Sequence, residues 1–314
     1  MAVVEEGSFT RAAAKLYMAQ SSLSASLLAL ERELATILFI RGRSSAELTD
    51  AGRAFLQSAQ ATLAGADRAR DAVPEIKGLL RGLVRIAAVA VPPSVDVVDT
   101  IRLFQDQHPD VNVHVIPAAP QQMVDLVSNG QVDFAISPRV QGASAALHFE
   151  PLISTPLVVV CPTGHRLAGA RDLNPSEVLD EPIIDLPPGW RSRELFDGLL
   201  EEHGLQRRVR LEIHDWNPLL SMVQRGMGIS YGPHACIDKE MFCGVDIATV
   251  AGAPTWELGV VTRDDALRGP VGRAFLAAYF KQCYEHLDGW SSDTSWSSEL
   301  LGAGDSSPVS RPAT

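Results

Sequence analysis

Apolar positions near the N-terminus keep a helical period over two short stretches. In residues 7–30, GSFTRAAAKLYMAQSSLSASLLAL, Phe9, Ala12, Ala13 and Leu16 recur at helical spacing behind Ser8, a favourable N-cap residue. Residues 18–20 read as a turn. A second run starts at Ser21, also a cap-type residue, and sets Leu23, Leu27, Leu30 and Leu34 on one face. Two short amphipathic helices joined by a tight turn predict a helix-turn-helix, whose second helix can lie in the DNA major groove. The small pair Ala12 and Ala13 lets the helices approach closely. Many helical proteins contain such a pair, so periodicity alone leaves DNA binding as one reading among several.

The pattern continues with Leu38 and Phe39 as a plug for a small core, then Arg41-Gly42-Arg43 opening a hairpin that closes at Leu48 and Thr49. Thr49 or Asp50 can cap a long helix. Its stripe is Phe55, Ala59, Leu63, Ala66 and Val73, until Pro74 breaks the helix. A helix of roughly 22 residues is about 33 Å long. With no domain to pack on, that stripe needs a partner. Residues 76–82 read as a hinge.

From Leu83 short β-type runs alternate with helical ones. LVRIAAVAV, a helix through Ile101 and Phe104, VNVHVI, a helix through Met123 and Val127, and VDFAIS give a βαβαβ start. A similar set follows: LVVVC, PIIDL, a helix near Leu195 and Leu200, VRLEI, a helix near Leu219 and Val223, and GISYG. WELGVVT and a helical run from Phe275 to Tyr284 close the body. The alternation predicts an α/β fold with a mostly parallel sheet and helices on both faces. Two subdomains joined by crossing strands, near 155–161 and 257–262, fit the spacing. The Ser- and Gly-rich segment 288–314 is expected to be a disordered tail.

EEGSFTRAA, AQSSLS, ALERELA, LFIR and LTDAG occur in this order and close together. This resembles the N-terminal domain of the LysR-type transcriptional regulators, densely over residues 3–63 and more loosely beyond. The resemblance implies a winged helix-turn-helix at 1–50 and a linker helix at 51–76 used for antiparallel dimerisation. It also implies an effector domain like the periplasmic solute-binding proteins, with subdomain I at 83–156 and 257–287 and subdomain II at 157–256. The function implied is sequence-specific transcription regulation in response to a small molecule bound between two α/β lobes. The partners implied are double-stranded DNA, a small organic effector (an anion among the candidates), further copies of the chain as homodimer or homotetramer, and RNA polymerase. No cofactor or metal is implied. The chain opens with Met1-Ala2-Val3-Val4, where the resemblance implies a full first helix, so that helix is expected to be truncated.

In the head, cations and hydroxyls on phosphates give affinity, and base-edge contacts give preference. Ser8, Thr10 and Arg11 sit at the start of the first motif helix, where backbone N–H groups also suit a phosphate. Gln20, Ser21, Ser22 and Ser24 start the recognition helix and are the candidates for base edges. Arg32 follows, and Arg41 and Arg43 belong to the wing. Ser8 and Ser21 can equally be plain caps, and Arg32 a solvated charge. The chain departs from the family in having Ala25, Ser26 and Leu28 where basic or long polar side chains are usual, and in Glu47 on the wing. Over residues 1–55 six cations meet six carboxylates, which predicts weak DNA binding with a shallow salt slope.

Ligands of open α/β sheets bind beyond the carboxyl ends of the strands. The candidate effector residues are Pro93, Ser94, Ala119, Ser137, Arg139, Pro187, Trp216, Asn217, Pro233 and His234, with Trp190 as a further apolar wall. Ser94 can hold an anion at a helix start, and Arg139 can set a positive charge against a carboxylate. The plainer readings are an N-cap for Ser94, a surface ion pair for Arg139 and a surface or core histidine for His234.

Composition adjusts this picture only in part. The 314 residues are 46% hydrophobic, enough for two or three packed units, and the formal net charge of -11 argues against generic polyanion coating. No apolar run reaches the roughly 18 residues of a membrane span, and no secretory signal is visible, so a cytoplasmic location is expected. Cys161, Cys236, Cys243 and Cys283 lack CxxC spacing and read as idle thiols. Peroxide-sensing relatives use a cysteine pair, but residues 185–203 contain no cysteine. There is no GxSxG, HExxH, P-loop or dinucleotide fingerprint, and nothing ties Asp185 to Asp215 as a carboxylate pair, so no catalytic residue is assigned. A ligand-binding module or regulator relic with weak or no DNA binding is the second reading.

Overall fold

Gly7 ends the first helix in a left-handed conformation (φ 59), a position that suits a residue without Cβ. The helix it closes, α1 (Ala2–Glu6), buries Val3 against Ala12, Leu38 and Phe39. Helix α2 (Phe9–Lys15) follows, with Ser8 at the N-cap position but making no side-chain cap bond. Met18 N–H donates to Ala13 O (3.0 Å) and Tyr17 N–H to Ala14 O (3.1 Å), while Tyr17 takes φ 53. That pair of bonds around a left-handed residue closes α2 and turns the chain into α3 (Gln20–Glu33). The N-cap of α3 is Ala19, so Ser21 lies inside the first turn and is not the cap that its residue type suggested.

Leu38 and Phe39 are buried, and Phe39 meets Phe9 edge to face at 5.5 Å. Glu31 is 7% exposed, and its Oε1 accepts from Leu38 N–H (2.8 Å) and Phe39 N–H (3.3 Å). One carboxylate therefore ties the end of α3 to the strand leaving the motif. Phe39 and Leu48 form an antiparallel bridge, and Ile40 N–H donates to Glu47 O (2.8 Å), which places the base of the wing. Thr49 caps α4 (Asp50–Asp71) by accepting from Gly52 N–H at 2.9 Å.

The computed structural model describes residues 1–40, 46–71, 80–89, 95–237, 242–263 and 269–286, in two units, one built on Met1–Arg70 and one on the chain beyond it. Arg41 and Arg43, Val73 and Pro74, Pro93 and Ser94, and the tail at 288–314 lie outside the described residues.

In the second unit, β1 (Gly82–Ala88), α5 (Val97–Gln107), β2 (Val111–Ile116), α6 (Pro120–Ser128) and β3 (Phe134–Pro138) form the expected βαβαβ series, with β1 parallel to β2 and β3. The 16-residue strand β4 (Leu147–Pro162) comes next. Beyond it lie β5 (Ile183–Asp185), α7 (Arg191–Glu202), β6 (Val209–Glu212), α8 (Trp216–Gln224), β7 (Ser230–Pro233), β8 (Val245–Ala248), β9 (Thr255–Arg263) and α9 (Pro270–His286).

The sheet order is β2-β1-β3-β9-β4-β7, with β8 also on β4. Every pair made by β4 or β9 is antiparallel, so the sheet is mixed rather than mostly parallel. The physical reason is the crossing: strands that leave one lobe and return to it must run in opposite directions. Strand β4 pairs with β9 from Leu147 to Pro156, then with β7 from Leu157 onward. Helix α9 packs on the first lobe through Phe275, against Phe104 (5.0 Å) and Phe134 (6.1 Å), and Tyr279 donates to Val95 O at 2.7 Å.

Replacing Glu31 with Ala leaves two buried N–H donors without that acceptor. The expected cost is about 1–3 kcal/mol of head stability, read as a lower urea midpoint of the full chain, or as faster amide exchange at Leu38 and Phe39. Unchanged exchange at both amides would remove Glu31 from its tethering role.

Candidate functional site

The exposed face at the start of α3 carries hydroxyls and an amide. Gln20, Ser21 and Ser22 are exposed and Ser24 is half-buried, while Leu23, Leu27 and Leu30 face the head core. Ser26 Oγ donates to Ser22 O at 3.0 Å, a bond within the helix. Thr10 and Arg32 are exposed and Ser8 is half-buried. Arg11 folds back, its Nε donating to Glu6 O at 3.0 Å with a second bond from Nη2. Lys15 bridges Glu5 (2.8 Å) and Glu6 (3.1 Å). Exposed pairs of this kind contribute little to stability, but they leave two head cations already partnered. Tyr17, which the sequence reading passed over, is 98% exposed in the turn before α3.

In the second unit a cleft of about 550 Å³ opens between the lobes. Ala119, Pro187, Trp216 and Pro233 line it, as does Trp190. Other predicted residues are elsewhere. Ser137 is fully buried and its hydroxyl bonds Pro138 O at 2.9 Å. Asn217 and His234 are exposed and off the cleft wall. Arg139 lines a neighbouring cleft of about 670 Å³, ion-paired to Glu257 at 2.5 Å and stacked over the Phe149 ring at 4.1 Å. Its plainer reading, an ion pair, is the arrangement present.

Sequence reading missed several walls. Trp256 comes from crossing strand β9, Arg191 and Ser192 from the first turn of α7, and His214 from the approach to α8, whereas Asp215 belongs to a loop the sequence already placed at the strand ends. The signal for α7 was available in part, because a helix starting just after a Pro-Pro-Gly turn at a strand end faces the cleft. Asp215 Oδ1 accepts from Asn217 N–H (3.0 Å) and so caps α8. Trp216 is pinned by its Nε1–H on Cys236 O (3.3 Å). It also lies so close to Gly232 that a Cβ there would sit 1.8 Å from the indole. Gly232 is thus what lets the Trp216 wall form.

The loop at 186–190 is held from behind. Asp185, 2% exposed, accepts from Leu186 N–H (2.8 Å) and ion-pairs with Arg207, which also bonds Asp197 at 2.7 Å. Arg193 donates to Leu186 O and to Glu212, each at 2.7 Å. Burial raises the Asp185 pKa against the pull of Arg207. Burial alone would lower that of Arg207, but the Asp197 bond and the charges of Asp185 and Asp197 raise it, so the guanidinium stays charged. Phe196 and Tyr231 stack at 3.5 Å beside this pair. Asp185 and Asp215 therefore serve separate structural ends. Burial pushes the thiols up, Cys161 to about 11 and Cys236 and Cys283 to about 12, which keeps them as thiols rather than nucleophilic thiolates at neutral pH. Among the described residues no His, Cys, Asp or Glu cluster suits a metal, and no helix is long and apolar enough to cross a membrane.

A helix-turn-helix head followed by a two-lobed α/β body with a cleft at its strand ends defines a ligand-responsive DNA-binding regulator. The chain belongs to the LysR family of DNA-binding transcriptional regulators: residues 77–283 match the LysR substrate binding domain, and residues 1–53 match the bacterial regulatory helix-turn-helix protein, lysR family. These are regulators with an effector-binding domain, not enzymes. Similar proteins include the "Probable RuBisCO transcriptional regulator" of Synechocystis sp., 27% identical over 91% of this chain and 85% of the relative. The "HTH-type transcriptional regulator IlvR" of Caulobacter vibrioides is 28% identical over 84% of this chain and 90% of the relative. Among solved structures, full-length CbnR complexed with its target DNA shares the fold at TM-score 0.63 and 20% identity, covering 91% of this chain and 96% of that one. The effector binding domain of QuiR in complex with shikimate does so at TM-score 0.56 and 18% identity, covering 66% of this chain and 99% of that one.

Arg207→Ala leaves Asp185 buried without its partner. The expected loss is about 3–5 kcal/mol, measured by denaturant unfolding of the second unit in the full chain. A loss below about 1 kcal/mol, the range of an exposed pair, would show that Arg207 does not hold this lobe together.

Proposed function

We propose that this regulator acts as a homodimer joined through α4, reads operator DNA with the start of α3, and alters its DNA complex when a small organic ligand fills the inter-lobe cleft. Gln20, Ser21 and Ser22 face base edges. Ser8, Thr10, Ser24 and Arg32, with Arg41 and Arg43 of the wing, serve the phosphates or flank the contact. The ligand binds the closed arrangement of the lobes better than the open one, and that differential affinity biases the placement of the DNA-binding heads in the dimer. A dimer of dimers, contact with RNA polymerase and a cytoplasmic location complete the reading. The observation that carries it is the cleft itself, an apolar concavity with a few polar groups at strand ends in a body attached to a helix-turn-helix. The QuiR complex with shikimate lends support for a small-molecule ligand, and the CbnR complex for DNA.

A second reading keeps the ligand site but gives the head weak or no DNA binding. It is favoured by the equal charge count of the head and by the internal partners of Arg11 and Lys15.

The two readings part in a gel-shift titration with DNA upstream of the protein's own gene. The first expects saturable binding, weakened by Gln20→Ala and by Ser22→Ala by about tenfold each, with a shallow salt slope. Binding no tighter than to scrambled DNA, and unaffected by both substitutions, would leave the second reading standing.

A further inference from the structure

Two helices of the second lobe begin at the cleft, and their starts are built differently. Helix α8 is capped by Asp215, whose carboxylate already accepts from the first turn. Helix α7 has Trp190 at its N-cap position, with no side-chain cap bond. Its first backbone N–H groups have no partner within the helix, and they carry the positive end of the helix dipole.

The first turn of α7 adds two side chains to those groups. Ser192 is 6% exposed and lines the cleft, and its hydroxyl has no hydrogen-bond partner among the described residues. At the cleft wall that hydroxyl can donate to a ligand oxygen that reaches it. Arg191 also lines the cleft, with its side chain 17% exposed and, among the described residues, paired through a long 3.5 Å contact to Glu194. Among the described lining residues it is the one Arg or Lys, and the Asp215 carboxylate lies on the same wall. One anionic group is matched by this cleft; a second would face Asp215 with no fixed cation to meet it. Trp190, Trp216 and Trp256, with Pro138, Pro187 and Pro233, supply most of the apolar wall, beside the polar Gln122 and His214. Indole faces suit a planar ring.

We infer that the ligand of this cleft is an aromatic monocarboxylate, with its carboxylate on the first turn of α7 between Ser192 and Arg191 and its ring among the three tryptophans. The inference rests on the inter-lobe cleft being the effector site. Ser192 donates its hydroxyl to one carboxylate oxygen, the uncapped N–H groups donate to the same group, and Arg191 neutralises it. Ligand binding thereby completes a helix start that the free protein leaves without a cap.

The test uses the full-length chain at constant ionic strength, with benzoate and 2-naphthoate as probes and benzamide and 2-naphthamide as their neutral counterparts, followed by calorimetry and by tryptophan fluorescence. The carboxylates should bind saturably and the amides about tenfold more weakly or worse. Ser192→Ala should weaken carboxylate binding by about fivefold and Arg191→Gln by about tenfold, with both variants melting as the parent does without ligand. Ala119→Trp, which fills the cleft, should abolish binding of all the probes. Amides that bind as well as carboxylates, or carboxylate affinity unchanged in both α7 variants, would overturn the inference. If Ala119→Trp still blocks those probes, the cleft reading survives that outcome. Carboxylate binding indifferent to Ala119→Trp as well would take the cleft reading down with it. No saturable carboxylate binding up to millimolar concentration also overturns the inference.

Discussion

The pairing of β4 with β9 is the constraint on which the second unit depends. Strand β4 belongs to both lobes: it leaves β9 at Pro156 and takes β7 as its partner at Leu157, with β8 on its other edge from Val159. Neither lobe can then unfold or move far without disturbing a strand that the other lobe also uses. What remains available is flexing about the point where the partner changes, and the cleft sits where such flexing is felt. Trp256 on β9 pairs with Thr155 on β4 beside that point and also lines the cleft, so the wall and the crossing are one piece of structure.

Rigidity of the cleft comes from behind it. The Asp185–Arg207 pair is almost wholly buried, and such a pair is weak evidence for stability in itself because desolvation offsets its attraction. Its effect here is geometric. Asp185 and Arg193 fix the N–H and the carbonyl of Leu186, which anchors the loop leading to Trp190 and α7 where it borders the cleft. The Trp216 wall is fixed in the same spirit, by a hydrogen bond at its nitrogen and by the absent side chain of Gly232.

The head follows a different economy. Its core is small, built on Val3, Ala12, Leu38 and Phe39, and one buried carboxylate joins the recognition helix to the wing. The surface it offers at the start of α3 is polar rather than charged, since Arg11 and Lys15 turn back toward α1. A surface of that kind leans on hydrogen bonds and shape more than on counterion release.

Much of this was legible in the order of the residues. The helix-turn-helix, the capped long helix and the βαβαβ series all follow from local period and punctuation, because period reports which face is buried whatever packs on it. The first half of β4 and the whole of β8 escaped, since Leu147–Pro156 mixes charged and apolar residues without clean alternation and Val245–Ala248 is too short to show a period. Ser21 looked like a cap because residue type alone cannot say where the first helical φ and ψ begin. Strand direction was misjudged for the sheet as a whole, because local alternation of strands and helices does not reveal which later strand returns between two others. Sequence by itself thus determined the elements, the family and the loops that end near the strand tips. Only the tertiary structure decided that Arg139 is engaged by Glu257, that Ser137 is sealed away, and that Ser192 and Trp256, far apart in the chain, face one cleft. Those outcomes depend on contacts between distant segments, which no local pattern encodes.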